Sequence, residues 1–325
     1  MELAGFDKRW KTFPDFILGM TKDIWEDRNI HSLRGYYADD IIVRSPASVV
    51  TGNEGVIAAT MATLAEWPDR QLPGEDVIWC GSADEGTLMS SHRLICTATH
   101  TNAGAYGPAT GKKLRYRILA DCACRDNQVY DEWLVRDQGA IVRQMGWDIV
   151  DFTRDQIERE GGAEACVKPL SPKTDIKGDY SSQGNDHPLG REYADILTRI
   201  MNAELSAVPK YYDRAAHLEL PGGVTDVGHG GADEFWLGLR AAFPDAKFEI
   251  NHAIGMSENG RPDRAALRWS LSGKHSGWGA FGAPSGAEVY VLGISHAEFG
   301  PNGLHREYVL FDETAIWKQI LLAKG

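Results

Sequence analysis

The sequence predicts an α+β protein made of two tandem domains, each with helices first and an antiparallel sheet after them. Three observations predict it. The stretch EWLVRDQGAIVRQM, Glu132 to Met145, returns as EYVLFDETAIWKQI, Glu307 to Ile320, 175 positions on. Tyr36-Tyr37, Pro46, His100, Gly107 and Gly111 return at the same spacing as Tyr211-Tyr212, Pro221, His275, Gly282 and Gly286. In each copy helix-period segments precede four long β-type runs joined by short turns, and strands joined that way pair antiparallel. The repeat is a whole domain rather than a solenoid unit. Residues 1–153, 154–190 and 191–325 therefore divide into first domain, linker and second domain.

Residues 13–28 place Phe16, Ile17, Met20, Ile24 and Trp25 at helical spacing, so one face is apolar. A short helix ends near Tyr36-Tyr37, a strand covers 40–45 before Pro46, and a helix with Asn53 as its cap covers 53–67. The motif Trp67-Pro68-Asp69 stops it and recurs as Phe243-Pro244-Asp245, here 176 positions on. Strands follow at 72–79, 87–101, 112–125 and 128–136, with turns at Pro73-Gly74, Gly107-Pro108 and Asp126-Asn127. The segment 154–190, rich in charge, Gly, Ser and Pro, has no period and suits a linker or surface strap. The second copy repeats the order: helix 191–204, strand 216–220, helix 231–242, and strands 247–254, 265–275, 287–298 and 303–311.

A net charge of −12 without a basic run argues against nucleic acid as a partner. No apolar run reaches the roughly 18 residues of a membrane span, and the N-terminal stretch lacks a signal peptide's apolar core, which points to the cytoplasm. Five cysteines without CxxC spacing suit buried thiols, and His217, His229 and His252 lack metal-site spacing, so no metal is expected.

The glycine loop TNAGAYGPATG, the strand 112–125, the turn at Asn127 and EWLVRDQGAIVRQMG together resemble the signature of the SnoaL-like polyketide cyclases, within the nuclear transport factor 2-like superfamily. The resemblance covers roughly 23–146 well and the second copy more loosely. It implies two cone-shaped domains, each a curved antiparallel sheet wrapped by helices around one ligand pocket. It also implies acid/base chemistry without a cofactor on small, often cyclic carbonyl compounds, by aldol cyclisation, isomerisation, dehydration or hydration. The alternative is a protein that binds a small molecule without converting it. Pairing through the outer sheet face, as in the superfamily, implies a pseudo-dimer within the chain, with a homodimer as the further assembly.

Asp137 and Asp312 lead the catalytic candidates: each ends a row that holds an aromatic residue, where desolvation raises a carboxyl pKa toward useful values. Each also stands directly before a helix and could be its N-cap. His100 and His275 suit a carbonyl hydrogen bond or a proton shuttle, against a half-exposed histidine at a strand end. Asp121 and His296 hold equivalent places in the third long strand, either facing the pocket beside Asp137 and Asp312 or solvated. Trp133, Tyr308, Trp269, Trp278, Tyr106 and Phe281 are candidate pocket walls, with core packing as the other role.

Overall fold

A computed structural model describes residues 3–82 and 85–324. The first half runs α1 (Phe13–Trp25), α2 (Leu33–Tyr36), β1 (Tyr37–Ser45), β2 (Ser48–Thr51), α3 (Asn53–Glu66), β3 (Gly74–Ser82), β4 (Thr87–Thr99), β5 (Lys113–Arg125), β6 (Gln128–Arg136), α4 (Gln138–Met145), α5 (Ile149–Arg159) and α6 (Gly162–Ala165). The second half runs α7 (Pro188–Met201), α8 (Ala207–Tyr211), β7 (Tyr212–Leu220), β8 (Val224–Val227), α9 (Gly228–Ala242), β9 (Lys247–Met256), β10 (Asp263–Lys274), β11 (Glu288–Gly300), β12 (Gly303–Phe311) and α10 (Glu313–Leu322). The two sheets have identical topology, β2-β1-β6-β5-β4-β3 and β8-β7-β12-β11-β10-β9. The predicted four-strand meanders are present. The sequence reading missed that β1 and β7 add in parallel to β6 and β12.

Local chemistry explains the elements. Thr12 and Asp15 form a reciprocal capping box at the start of α1, whose buried face is Phe13, Phe16, Ile17, Met20 and Ile24. Asp126 and Asn127 both adopt positive φ between β5 and β6, the backbone that a tight two-residue hairpin turn demands. The helix α5 crosses the expected linker boundary at Arg154 and packs on α10. Beyond it the chain is a strap: Leu170 donates to the Pro46 carbonyl, the Tyr180 amide to Asp131, and Asn185 bonds Gly255 both ways.

The helices cover one face of each sheet, and the other faces meet. Leu119 and Val135 pack against Leu292, Ile294 and Leu310, and Ile78, Met89 and Ala123 against Ile254 and Ala266. Polar pairs cross the same interface: Asp121 accepts from Arg268 at 3.0 Å, Arg117 donates to Glu219 at 2.7 Å, and Ser91 lies 2.8 Å from His296.

The halves differ inside. A cavity of about 300 Å³ lies between sheet and helices in the first half, lined in part by Ala59, Thr60, Leu94, Ile118 and Arg136. At the helix offset of 176 the first two positions are Phe235 and Trp236, and at the strand offset of 175 the others are Trp269, Gly293 and Phe311. The four rings interlock with centroids 4.9–6.4 Å apart. Gly293 makes this possible, since a Cβ there would sit 2.1 Å from the Trp269 ring. The Trp269 indole nitrogen is satisfied by Ser295 at 2.8 Å. The expectation of one hollow per copy is therefore corrected: aromatic side chains fill the second. Truncating one should leave a void, so Trp269→Ala should lose about 3–5 kcal/mol in urea denaturation. A loss below about 1 kcal/mol would mean that these rings are not close-packed.

Candidate active site

The floor of the first-half cavity is set by strand alternation and pairing register. On β6, Glu132, Leu134 and Arg136 face inward and Trp133 and Val135 face the other sheet. Across β5 and β4, Glu132 continues as Cys122 and Ser90, Leu134 as Ala120 and His92, and Arg136 as Ile118 and Leu94. Four residues of strand rise separate Glu132 from Arg136, about 13 Å. The helices α1 and α3 roof the space with Met20, Ile24, Trp25, Val56 and Thr60.

Three chemistries follow along that floor. Glu132, 6% exposed, is pushed up to about 7 by burial, against which its hydrogen bond with Tyr37 works. Tyr37 itself is raised well above the ordinary phenol value, by burial first and then by the Glu132 charge. In the middle, burial lowers His92 to about 4, so its ring is neutral at neutral pH, 3.2 Å from the Ser90 hydroxyl. At the far end stand the guanidinium groups of Arg70 and Arg136. The second half contributes one group: Asp312 lines this cavity and is raised to about 6 by burial. Its Oδ1 takes all three capping bonds, from the Thr314 amide and hydroxyl and the Ala315 amide.

The other expected residues lie elsewhere. Asp137 caps α4 through Ala140 N and also accepts from the amides of Gly222 and Gly223 at 2.8 and 2.9 Å, tying the halves together outside the cavity. Asp121 and His296 face the opposite sheet. There burial, then the Arg93 charge, keeps His296 neutral. Trp133 lies under Arg268 at 3.6 Å and Tyr308 under Arg93 at 3.5 Å, so both are interface residues rather than pocket walls. His100 continues the inward row of β4 past its last residue and is held by Thr110 Oγ1 and Glu66 Oε1 at 3.0 and 3.1 Å, fastening the glycine loop to α3. His275 bonds Ser285 at 3.0 Å and packs on Phe243. Trp269 and Phe281 are second-half core, and Trp278 is 72% exposed. Tyr106 alone stays near the cavity, donating its hydroxyl to the wall residue Gln138.

Of the residues expected at the pocket, Asp121, His296, Trp133 and Tyr308 lie on the opposite strand face, against the other sheet. Glu132, Tyr37, His92, Arg70 and Arg136 were missed as site residues. Glu132 and Tyr37 were within reach, since both belong to the repeated positions and Glu132 opens the longest echo.

Residues 9–145 match the family model of SnoaL-like polyketide cyclase. The matched stretch lies within the first half. Comparison with curated proteins returns no match. Among solved structures, IdmH from Streptomyces antibioticus shares 20% identity over 41% of this chain and 97% of its own, with a TM-score of 0.35. TsrD from Streptomyces laurentii shares 16% over 41% and 93%, with a TM-score of 0.36. A SnoaL-like polyketide cyclase from Agrobacterium tumefaciens shares 19% over 41% and 98%, with a TM-score of 0.33. Among the described residues no helix is long and apolar enough to cross a membrane.

Two stability measurements separate the roles within the SnoaL-like half. Because Glu132 titrates higher when folded than its ordinary 4.5, it adds stability below that value, which is lost as pH rises through about 7. The stability difference between the protein and Glu132→Gln should shift by about 3 kcal/mol against the wild type between about pH 4 and pH 8. A pH-independent difference would mean a solvated carboxyl. Asp137→Ala removes a cap and strands the two glycine amides, so it should cost about 2–4 kcal/mol in chemical denaturation while ligand binding persists. Lost binding in a folded Asp137→Ala protein would return Asp137 to the site.

Proposed function

We propose that the SnoaL-like half carries out cofactor-independent acid/base chemistry on a small carbonyl compound with a cyclic or aromatic body. The step is proton transfer at carbon, of the kind that closes an aldol, moves a double bond, or adds or removes water. One observation carries this reading: a buried carboxyl, Glu132, is raised to about 7 at the floor of a largely apolar cavity. A carboxyl near neutrality is populated in both protonation states, which general acid/base catalysis at carbon requires. Tyr37 orients it, and the neutral His92 one row away is placed to hydrogen-bond a carbonyl oxygen. Asp312 is a second carboxyl in the wall.

The second half serves as a partner subunit within the chain. Its Glu307 is also raised to about 7 by burial, but Tyr193, Tyr212 and Trp236 surround it at 2.8–3.4 Å and leave no room for a ligand. The proposed units are 1–153 and 191–325, with the strap between them and the cytoplasm as their compartment.

Hydrogen–deuterium exchange at the α-carbon of α-tetralone, followed by NMR, tests the chemistry without knowledge of the natural substrate. Glu132→Gln should slow exchange by about 10²- to 10⁴-fold, whereas Glu307→Gln should leave it within about threefold. Exchange that survives Glu132→Gln would remove Glu132 from the mechanism. Tight ligand binding with no exchange in the wild type would favour the non-catalytic alternative.

A further inference from the structure

The far end of the cavity holds two arginines, Arg70 buried and Arg136 half-buried, that form no ion pair with a carboxylate among the described residues. Arg70 is 1% exposed and lines the cavity. Its Nε donates to the Cys96 sulfur at 3.3 Å, its Cζ lies 4.1 Å from the centre of the Trp25 ring, and its Nη1 has no hydrogen-bond partner among the described residues. Arg136, two residues beyond Leu134 in the inward row of β6, shares a hydrogen bond with Tyr106 and keeps an unpartnered Nε. The Tyr116 hydroxyl, which feels both guanidinium charges, is also buried without a partner. Trp67 adds a fourth such atom, its indole nitrogen, and its ring packs against Tyr116 at 6.0 Å.

The contrast with the other buried arginines is direct. Arg44 is paired with Asp131 and Asp175, Arg93 with Glu75 and Glu298, Arg264 with Asp76 and Glu258, and Arg268 with Asp121. Neither Arg70 nor Arg136 has a carboxylate partner among the described residues, and Glu132 lies about 13 Å along the strand from Arg136. Burying an unpaired charge is strongly unfavourable, and a fold that has solved the problem four times elsewhere has the means to avoid it.

We propose that Arg70 and Arg136 form an anion subsite, and that the ligand of this cavity is a carbonyl compound bearing a carboxylate, bound with the carboxylate at the arginine end. Planar guanidinium groups match a planar carboxylate. The apolar middle of the cavity takes the ligand's body, and its carbonyl end lies toward His92 and Glu132. This deepens the function proposed above and rests on the same cavity. It adds a substrate class, a keto or enol acid, and a fixed direction of entry.

Calorimetric titration of the full chain with cinnamate and with methyl cinnamate tests the subsite, because the two probes differ chiefly in the anionic group. The acid should bind about ten- to a hundred-fold more tightly than the ester. Arg70→Met and Arg136→Met should each abolish that preference and leave the ester's affinity within about threefold. Arg70→Met should also keep or raise the melting temperature, since it removes an unpaired buried charge; a purely structural arginine would lower it. If Arg70→Met does not fold, Arg136→Met decides alone. Equal affinity for acid and ester, no binding of cinnamate at millimolar concentration, or a preference that survives both substitutions would overturn the subsite. Acid preference without α-tetralone exchange would instead sink the proton-transfer chemistry and leave the anion subsite standing.

Discussion

The two-residue period of β6 is the constraint on which the rest of the molecule depends. Glu132, Leu134 and Arg136 point into the helix-covered hollow, and Trp133 and Val135 point at the other sheet. One strand thus supplies both the chemistry of the cavity and the contact that joins the halves. A shift of one residue in register would exchange the two sets, placing Trp133 in the hollow and two charged side chains against the opposing sheet. The parallel strand β1 on one side and the antiparallel β5 on the other hold that register.

The sheet-to-sheet interface combines apolar contact with charge. Arg268 reaches Asp121 and stacks on Trp133; at the repeat-related place Arg93 reaches His296 and stacks on Tyr308. Each guanidinium belongs to one half and these partners to the other, although Arg93 also pairs with Glu75 of its own half, so the cross-pairing specifies how the halves meet as well as holding them. Truncating one member would strand the other in a dry interface, where an unpaired charge is most costly. Outside the sheets, Asp137 extends the same logic by accepting from the turn at Gly222 and Gly223.

The two halves share one sheet topology but differ in what they hold inside. Large aromatic side chains replace Ala59, Thr60, Leu94 and Arg136, and Gly293 replaces Ile118 where the Trp269 ring must lie, so interlocking rings fill the second half's counterpart of the cavity. A packed core is the cheaper state, because close contact recovers dispersion energy that a void forfeits. The first half keeps a hollow, a near-neutral carboxyl and unpaired arginines, each a departure from best packing or pairing. Departures of this kind gather at functional sites and are supported by well-packed surroundings. The solid half backs the hollow one across the interface and places Asp312 in its wall.

The sequence by itself determined the echo of residues at a near-constant offset, the order of helices and strands, the α+β class, the SnoaL-like resemblance of the first half, and which residues share a strand face. Those features are local: they follow from periodicity, turn chemistry and spacing. Only the tertiary structure decided which face of each strand met solvent-excluding helices and which met another sheet, because two buried faces leave no polar side in the pattern to tell them apart. For that reason Asp121, His296, Trp133 and Tyr308 were assigned to a pocket and proved to be interface, while Glu132 and His92 went unnoticed. Whether a duplicated hollow stays open was equally beyond linear reading, since it depends on rings from α9, β10 and β12 meeting over a single glycine of β11.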